Sequence, residues 1–392
     1  MESAPPTTSV ISRWWVLVLV YAAMFSFAVT LQMIPPLVPQ LVARTGLTHA
    51  QAGVLMGLFT LPGVFLALPG GRVADALGPR SVGIWSLSLM AVGTLLMMPL
   101  EPFFLYTGRI CGGIGAGVLV VVAPQIVARR FTGRELGRAM GLFNTAVPLG
   151  TITAFNLLGL LAERYGIPVP IIATAGLSLV ALAAFTLTFA DTPPPVTNRP
   201  DGMTSSPPGL GKGIWLTALV WVLFNIGVLS YFTYVIDHFI AAGIPEARAR
   251  FLGSLPMILS IGVTPLAGLA IHRFGLRWSL PVTGCLISSA AVAAIGLNPG
   301  GFAVGWSIIL GLGISLVPPA IFTIAGQVVP ASRIGTGYGL LTTVFNVGVF
   351  LGIPLIGYTR DIFSNYVGSF VVMSMILVLG TVIGGVSNRM LS

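Results

Sequence analysis

The amino-acid sequence predicts an all-α protein that crosses a membrane twelve times. Of its 392 residues, 55% are hydrophobic and only 7% are charged, and the mean hydropathy is +0.97. Soluble domains carry roughly one-quarter charged residues. Apolar runs of about 20 residues form helices in a bilayer, because lipid offers the backbone no hydrogen-bonding partner. The short alternating segments of a membrane barrel do not occur in the sequence.

Charged or Pro/Gly-rich breaks divide the chain into the predicted spans. In order, these are Trp14 to Val42, Gln51 to Gly70, Ser81 to Leu100, Phe103 to Ala128, Leu136 to Leu161, Pro168 to Ala190, Gly213 to Ile240, Phe251 to Ile271, Ser279 to Leu297, Gly301 to Val329, Gly335 to Tyr358 and Val367 to Val386. The first run is longer than the apolar part of a signal peptide, so we interpret it as a retained span.

One connector has the composition of a linker. Residues 191–212, DTPPPVTNRPDGMTSSPPGLGK, are rich in Pro and Ser and have no apolar periodicity. We therefore expect an N-terminal six-helix bundle at residues 1–190, a cytoplasmic linker at 191–212 and a C-terminal six-helix bundle at 213–392.

The basic residues predict the orientation in the membrane. With the N-terminus in the cytoplasm, the inner connectors hold 13 basic residues and the outer ones hold 5, and Arg109 is left within a span. An excess of basic residues marks cytoplasmic loops. The sequence thus predicts a multi-pass protein of the cell (inner) membrane with both termini cytoplasmic. These connectors also account for the net charge of +9 without nucleic-acid binding.

Two stretches about half a chain apart share a pattern. GRVADALGPR, at residues 71–80, reads GxxxDxxGxR, and GLAIHRFGLR, at residues 268–277, reads GxxxHxxGxR. Internal repeats of this kind relate the halves of many secondary transporters, whose substrate binds between the halves near the middle of the membrane. The repeat therefore predicts two related six-helix halves with a central site.

These motifs resemble those of the major facilitator superfamily. The resemblance covers the whole chain and includes the 71–80 loop and RICGGIGAG at residues 109–117 in the fourth span. The fifth span, GLFNTAVPLG, lacks the Gly-Pro pair that marks many proton-driven drug antiporters. In the resembled family the first loop latches the two halves together on the cytoplasmic side. The residues to which the resemblance assigns this latch are Gly71, Asp75, Gly78, Arg80, Arg134 and Arg138.

Arg109 is a charged residue inside a predicted span. An ionised side chain there costs about 2.5–3.5 kcal/mol on insertion scales, and the nearest preceding acid, Glu101, is eight residues away. An unpaired guanidinium in a central cavity favours an anionic substrate, which would supply the missing charge. In the alternative, Arg109 reaches the outer interface or donates to backbone carbonyls.

Polar side chains in the spans are candidates for substrate binding. In the resembled family, spans one, four, seven and ten line the cavity. The candidates are Tyr21, Gln32, Arg109, Asn225 and Tyr231, followed by Asn144 and Asn346 in spans five and eleven. Buried amides and phenols also join helices to one another, so helix packing is the alternative for each.

Asp237 and His238 are the candidates for proton coupling, because they are adjacent titratable residues at the outer end of span seven. A polar helix end at the interface is the alternative, and proton symport, anion exchange and uniport all stay open. The three histidines are far apart in sequence, so we expect no metal site. No phosphate-binding loop or nucleophile motif occurs, so we expect no cofactor and no enzymatic activity.

The sequence predicts a secondary active transporter that moves a small solute, by preference an anion, across the cell membrane by alternating access. An exporter of amphipathic or drug-like compounds is the alternative within transport, and a non-transporting membrane sensor is the alternative outside it. The expected partners are a small-molecule substrate, the lipid bilayer, and a proton or counter-transported solute. We expect a monomer.

Overall fold

The computed structural model describes residues 13–189, 211–275, 278–329 and 334–391, and within them all side chains except those of residues 67–77, 134, 272, 334, 335 and 391. The helices are α1 Arg13–Leu31, α2 Val38–Thr45, α3 His49–Thr60, α4 Pro62–Leu96, α5 Pro102–Arg130, α6 Gly133–Asn144, α7 Ala146–Thr153, α8 Gly159–Tyr165, α9 Pro168–Thr188, α10 Lys212–Ala241, α11 Glu246–Phe274, α12 Ser279–Leu297, α13 Ala303–Val328, α14 Ile334–Phe363 and α15 Tyr366–Leu391. The described residues contain no strand, which confirms the all-α class.

Eleven segments of the described chain are long and apolar enough to cross a membrane. The remaining predicted span, Ser81 to Leu100, corresponds to the part of α4 that follows Gly78. Gly78 has φ 79° and ψ 150°, a conformation that a residue with a Cβ rarely adopts. It therefore divides α4 into two helical segments, which belong to the second and third spans.

Local sequence also explains how the first two spans meet. Pro35 and Pro36 lie in a short 3₁₀ turn between α1 and α2, because proline has no backbone N–H and its ring obstructs a continuing helix. Thr48 then caps α3: its hydroxyl accepts from the Gln51 N–H at 3.2 Å, and Gln51 Oε1 accepts from the Thr48 N–H at 2.9 Å. This reciprocal cap begins the helix at His49.

Glycine allows two of the helices to pack backbone against backbone. A Cβ on Gly93 of α4 would lie 2.4 Å from the Gly112 nitrogen and 2.5 Å from the Gly108 oxygen of α5. Small residues make such approaches between membrane helices, where packing rather than exclusion of water holds the helices together.

We call α1–α9 the N-half and α10–α15 the C-half. The helix ends at the α2–α3, α8–α9, α10–α11 and α14–α15 connections are called the outer ends, because the distribution of basic residues predicts that they face the outside. One cluster of buried apolar residues contains the C-half core together with outer N-half residues such as Ile34, Leu55 and Phe155. The second cluster contains only inner N-half residues, such as Val20, Phe143 and Phe185. Among the described residues, the buried apolar core that the two halves share thus includes the outer part of the N-half.

The predicted linker at 191–212 lies outside the described residues apart from Gly211 and Lys212, where α10 begins. The boundaries of the two predicted bundles stay predictions.

Candidate functional site

A cavity lies between the two halves. Its walls come from α1, α3, α4 and α5 of the N-half and from α10 and α14 of the C-half, and its empty volume is about 640 Å³ including the mouth. Most of the lining is apolar and includes the rings of Phe27, Phe59 and Phe345. Thr60, Thr342 and Asn346 also belong to the described lining, and the Thr60 and Thr342 hydroxyls donate to the Gly57 and Tyr338 oxygens of their own helices. The cavity therefore suits a solute with an apolar body and one polar end.

Asn346 is the substrate-binding candidate that the structure places in the cavity wall. It lies on α14 opposite Gly63 of α4, where a Cβ would come within 2.5 Å of the Asn346 Nδ2. Glycine at position 63 therefore leaves the space that this amide occupies.

Arg109 lies behind the cavity wall and is only 1% exposed. Its Nη1 donates to the Thr30 oxygen at 2.7 Å, its Nη2 to the Leu31 oxygen at 3.3 Å and its Nε to the Leu55 oxygen at 2.7 Å. The Thr30 and Leu31 carbonyls are at the end of α1, where the last carbonyls of a helix have no helical donor. In this conformation the Arg109 donors thus cap the end of α1, and contact of Arg109 with a substrate stays a prediction.

The phenyl ring of Phe59 lies between the Arg109 guanidinium and the cavity. Its guanidinium carbon is 4.3 Å from the centroid of Phe59, which lines the cavity. Among the described side chains, no carboxylate forms an ion pair with Arg109, so its positive charge is balanced only by carbonyl dipoles and the ring.

The other five candidates lie outside the cavity wall. The Tyr21 hydroxyl is 3.2 Å from the Thr145 hydroxyl, and the Asn225 amide donates to the Trp221 oxygen at 2.7 Å. Tyr231 is buried against Phe232 and Phe370. Gln32 is buried and Asn144 is exposed. The contacts of Tyr21, Asn225 and Tyr231 each lie within one half. A role of these five residues in substrate binding stays a prediction.

Sequence reasoning missed most of the cavity lining. Phe27, Met56, Phe59 and Phe345 line the cavity, and none of them is among the candidates from the sequence. An apolar residue in a span has the same local signal whether it faces lipid, a neighbouring helix or a cavity, so periodicity could not separate these roles.

The predicted latch lies largely outside the described side chains. This applies to Asp75 and Arg134, and to the surroundings of Gly71. Arg80 donates from Nη2 to the Thr186 oxygen at 2.8 Å, a contact between α4 and α9 within the N-half, and Arg138 is exposed. The role of these residues in a latch stays a prediction.

A polar cluster at the outer ends joins the halves. His49, the first residue of α3, places Nδ1 2.8 Å from Asp361 Oδ1 and Nε2 3.3 Å from Asp237 Oδ2. The His49 and Ala50 N–H groups donate to the two Asp361 oxygens at 3.0 and 2.9 Å. The Tyr366 hydroxyl donates to Asp237. Residues from α3, α10, α14 and α15 therefore meet in one cluster.

Asp237 and His238 do not contact the same partners. Asp237 faces His49 across the boundary between the halves, whereas His238 Nε2 lies 3.1 Å from the Ile295 oxygen inside the C-half. No local signal in the sequence marked His49, because it is 188 residues from Asp237 and 312 from Asp361.

Two further polar contacts join the halves near the same ends. The buried Arg250 of α11 donates to Glu163 of α8 at 2.7 Å, and the Asn156 amide donates to the Ser254 hydroxyl at 2.9 Å. The hydrogen bonds and ion pairs between the halves that are described above all lie near the outer ends. Together with the shared apolar core, they close the described structure at its outer ends.

Comparison with known proteins gives a consistent match to one family. A model of the Major Facilitator Superfamily matches residues 20–245 and 229–387. The chain is 26% identical over 325 residues to monocarboxylate transporter 13 of Bos taurus, covering 80% of this chain and 74% of that protein. It is 24% identical over 342 residues to a lysosomal dipeptide transporter of Danio rerio, covering 79% and 72%. A cyanate transport protein of Escherichia coli (strain K12) is 26% identical over 303 residues, covering 75% and 76%.

Solved structures show the same fold. A bacterial homolog of the human lysosomal transporter Spinster, in an inward-facing and occupied conformation, superposes with a TM-score of 0.78 at 17% identity, covering 99% of this chain and 98% of that one. A peptide transporter in complex with sulfate gives a TM-score of 0.77 at 15% identity, covering 95% and 94%.

Proposed function

Because the chain belongs to the major facilitator superfamily, we propose that it is a secondary transporter that moves a small organic anion with an apolar body through the cavity between its halves. The observation that carries the proposal is this cavity, which is apolar except at Thr60, Thr342 and Asn346 and has the Arg109 charge behind Phe59. In the membrane it exchanges access to the two sides as the halves rock.

The apolar walls favour a substrate whose main part is hydrocarbon. A fully polar ion such as a small inorganic anion would lose its hydration shell against phenyl and aliphatic groups without receiving equivalent donors. A carboxylate with a short hydrocarbon chain instead places the chain against the walls and its head at the Asn346 amide. The Thr60 and Thr342 hydroxyls donate to this head when they turn from the Gly57 and Tyr338 oxygens.

The buried cation supports a negatively charged substrate. At an effective dielectric of 20, two opposite unit charges about 8 Å apart attract by about 2 kcal/mol. The guanidinium of Arg109 does not need to contact the substrate to exert this attraction. Two of the similar proteins, named for monocarboxylates and cyanate, agree with an anionic cargo.

Uptake into vesicles containing the purified protein tests the proposal. The assay measures uptake of a labelled four-carbon carboxylate in the presence of unlabelled competitors. The competitors are carboxylates of two to eight carbons, their uncharged amides, and quaternary ammonium ions of matched length. We expect inhibition to rise with chain length among the carboxylates, with the matched amides at least 10-fold weaker, as expected for about 1.4 kcal/mol or more. Equal inhibition by the amides would overturn the hypothesis that the substrate is an anion. The absence of flux of any solute would overturn the hypothesis that the protein is a transporter.

Matched threonine variants test the site itself. Thr342→Val removes a hydroxyl from the cavity wall, while Thr323→Val removes one that likewise donates to the carbonyl four residues earlier but is not in the wall. We expect Thr342→Val and Asn346→Leu to raise the half-saturating concentration, and Thr323→Val to leave it unchanged. If all three variants behave alike, the substrate does not use this cavity.

A second candidate function is the export of amphipathic compounds. The aromatic lining by Phe27, Phe59 and Phe345 favours it. The ammonium arm of the competition assay distinguishes the two, because an exporter of amphipathic cations would be inhibited by that series and not by the carboxylates.

A further inference from the structure

The imidazole of His49 lies between two carboxylates of the other half. Nδ1 is 2.8 Å from Asp361 and Nε2 is 3.3 Å from Asp237, and the side chains of His49, Asp361 and Asp237 are 14%, 23% and 13% exposed, respectively. His49 belongs to α3 of the N-half, whereas the two acids belong to α14 and α10 of the C-half. The arrangement therefore exists only while the outer ends of the halves are together.

The positions of the two ring nitrogens favour one extra proton in this cluster. A neutral imidazole has one N–H donor and one acceptor nitrogen, and an ionised carboxylate can only accept. With both ring nitrogens facing carboxylate oxygens, one contact would set a lone pair against an anion. A proton on the second ring nitrogen of His49 removes this conflict. Asp361 is held as the ionised partner, because it accepts two backbone N–H groups at the start of α3.

The surrounding charges agree with this count. The groups that face His49 are Asp237 and Tyr234 of α10, Asp361 and Arg360 of α14, and Tyr366 of α15. The Arg360 guanidinium carbon is 4.8 Å from the Tyr366 ring centroid. With the proton bound, His49 and Arg360 balance the two carboxylates, and without it the largely buried cluster carries one net negative charge.

We propose that His49, Asp237 and Asp361 form a proton-binding site that is complete only when the outer ends are closed. The ligand is a single proton taken from the side that the outer ends face. When the halves separate there, His49 leaves both acids, and a free imidazole releases its proton near pH 6.5. Closure of the outer ends is thus coupled to the uptake of one proton above that pH. This inference concerns the conformation of the empty protein and does not depend on the substrate.

The coupling has a defined sign and size. Below about pH 6.5 the proton is bound whether the outer ends are open or closed. The ratio of the closed population to the open population therefore does not change with pH in this range. Above it, the closed arrangement binds one more proton than the open one, and the ratio falls by up to 10-fold for each pH unit. A rise in pH therefore opens the outer ends.

Spin labels on the two sides of the outer opening test the proposal. Ala43→Cys of α2 and Ala247→Cys of α11, both exposed, carry the labels after Cys111→Ala and Cys285→Ala remove the native thiols. Interspin distances are measured in nanodiscs from pH 5 to pH 9 without substrate. We expect the short-distance population to fall as the pH rises above about 6.5, with a slope of up to 10-fold per unit.

Four variants distinguish a proton site at His49 from a general loosening of the outer ends. His49→Gln and Asp237→Asn should each remove the pH dependence, and either one is sufficient if the other does not fold. Glu163→Gln weakens the Arg250 pair at the same ends, so it should lower the closed population at every pH and keep the slope. His238→Gln should also keep the slope, because its ring nitrogen contacts Ile295 within the C-half. A wild-type population that is constant from pH 5 to pH 9, a wild-type slope retained in His49→Gln, or a slope lost in His238→Gln would overturn the proposal.

Discussion

Replacement of Gly53 by alanine should open the outer ends of the protein. Gly53 is on the face of α3 that packs against α14 and α10 of the other half. A Cβ there would lie 2.3 Å from the Tyr234 hydroxyl oxygen, 2.9 Å from Pro354 Cα and 3.0 Å from the Ile353 oxygen. The tyrosine hydroxyl can move, but the two α14 backbone atoms move only if the helix does.

The size of the effect follows from these contacts. Insertion of a methyl group into a well-packed interface costs about 1–3 kcal/mol. Alanine also favours a helix over glycine by about 1 kcal/mol, but that gain is present in both conformations and cancels. The ratio of closed to open should therefore fall by about 5-fold to 150-fold, because each 1.4 kcal/mol is a factor of ten.

The spin-label pair at residues 43 and 247 measures this change at one fixed pH. Gly262→Ala of α11 is the control, because a Cβ there meets no atom within 4 Å. A distance distribution in Gly53→Ala that matches the Gly262→Ala control would show that packing of α3 on α14 does not hold the outer ends closed, and the reasoning would be wrong.

Two further predictions concern stability. Arg109→Gln should destabilise the purified protein by about 2 kcal/mol or more, because the buried Thr30 and Leu31 carbonyls lose their donors. Thermal unfolding in detergent measures this loss of stability, and an unchanged unfolding midpoint would contradict the capping role. Gly93→Ala should also lower the midpoint, because its Cβ would meet α5 backbone atoms at 2.4 and 2.5 Å, whereas Gly176→Ala, which meets no atom within 4 Å, should not. Equal midpoints for these two glycine variants would rule out tight α4–α5 packing as a source of stability.

The sequence could predict the fold because its signals are local. A membrane helix is recognised from about 20 consecutive apolar residues, and the break at Gly78 follows from a glycine in a charged connector. The sequence also identified Arg109 as a group that needs partners, since the cost of an ionised side chain in a span does not depend on the rest of the structure.

Only the tertiary structure decided what satisfies these groups. The donors of Arg109 reach carbonyls about 54 and 79 residues away in α3 and α1, and His49 meets acids of the other half. The cavity is lined mainly by apolar side chains, whose pattern along the chain does not distinguish a wall from a lipid face. Hydrophobic length is a property of one segment and can be read from it, whereas partners and cavities arise from how the segments pack, which distant residues determine together.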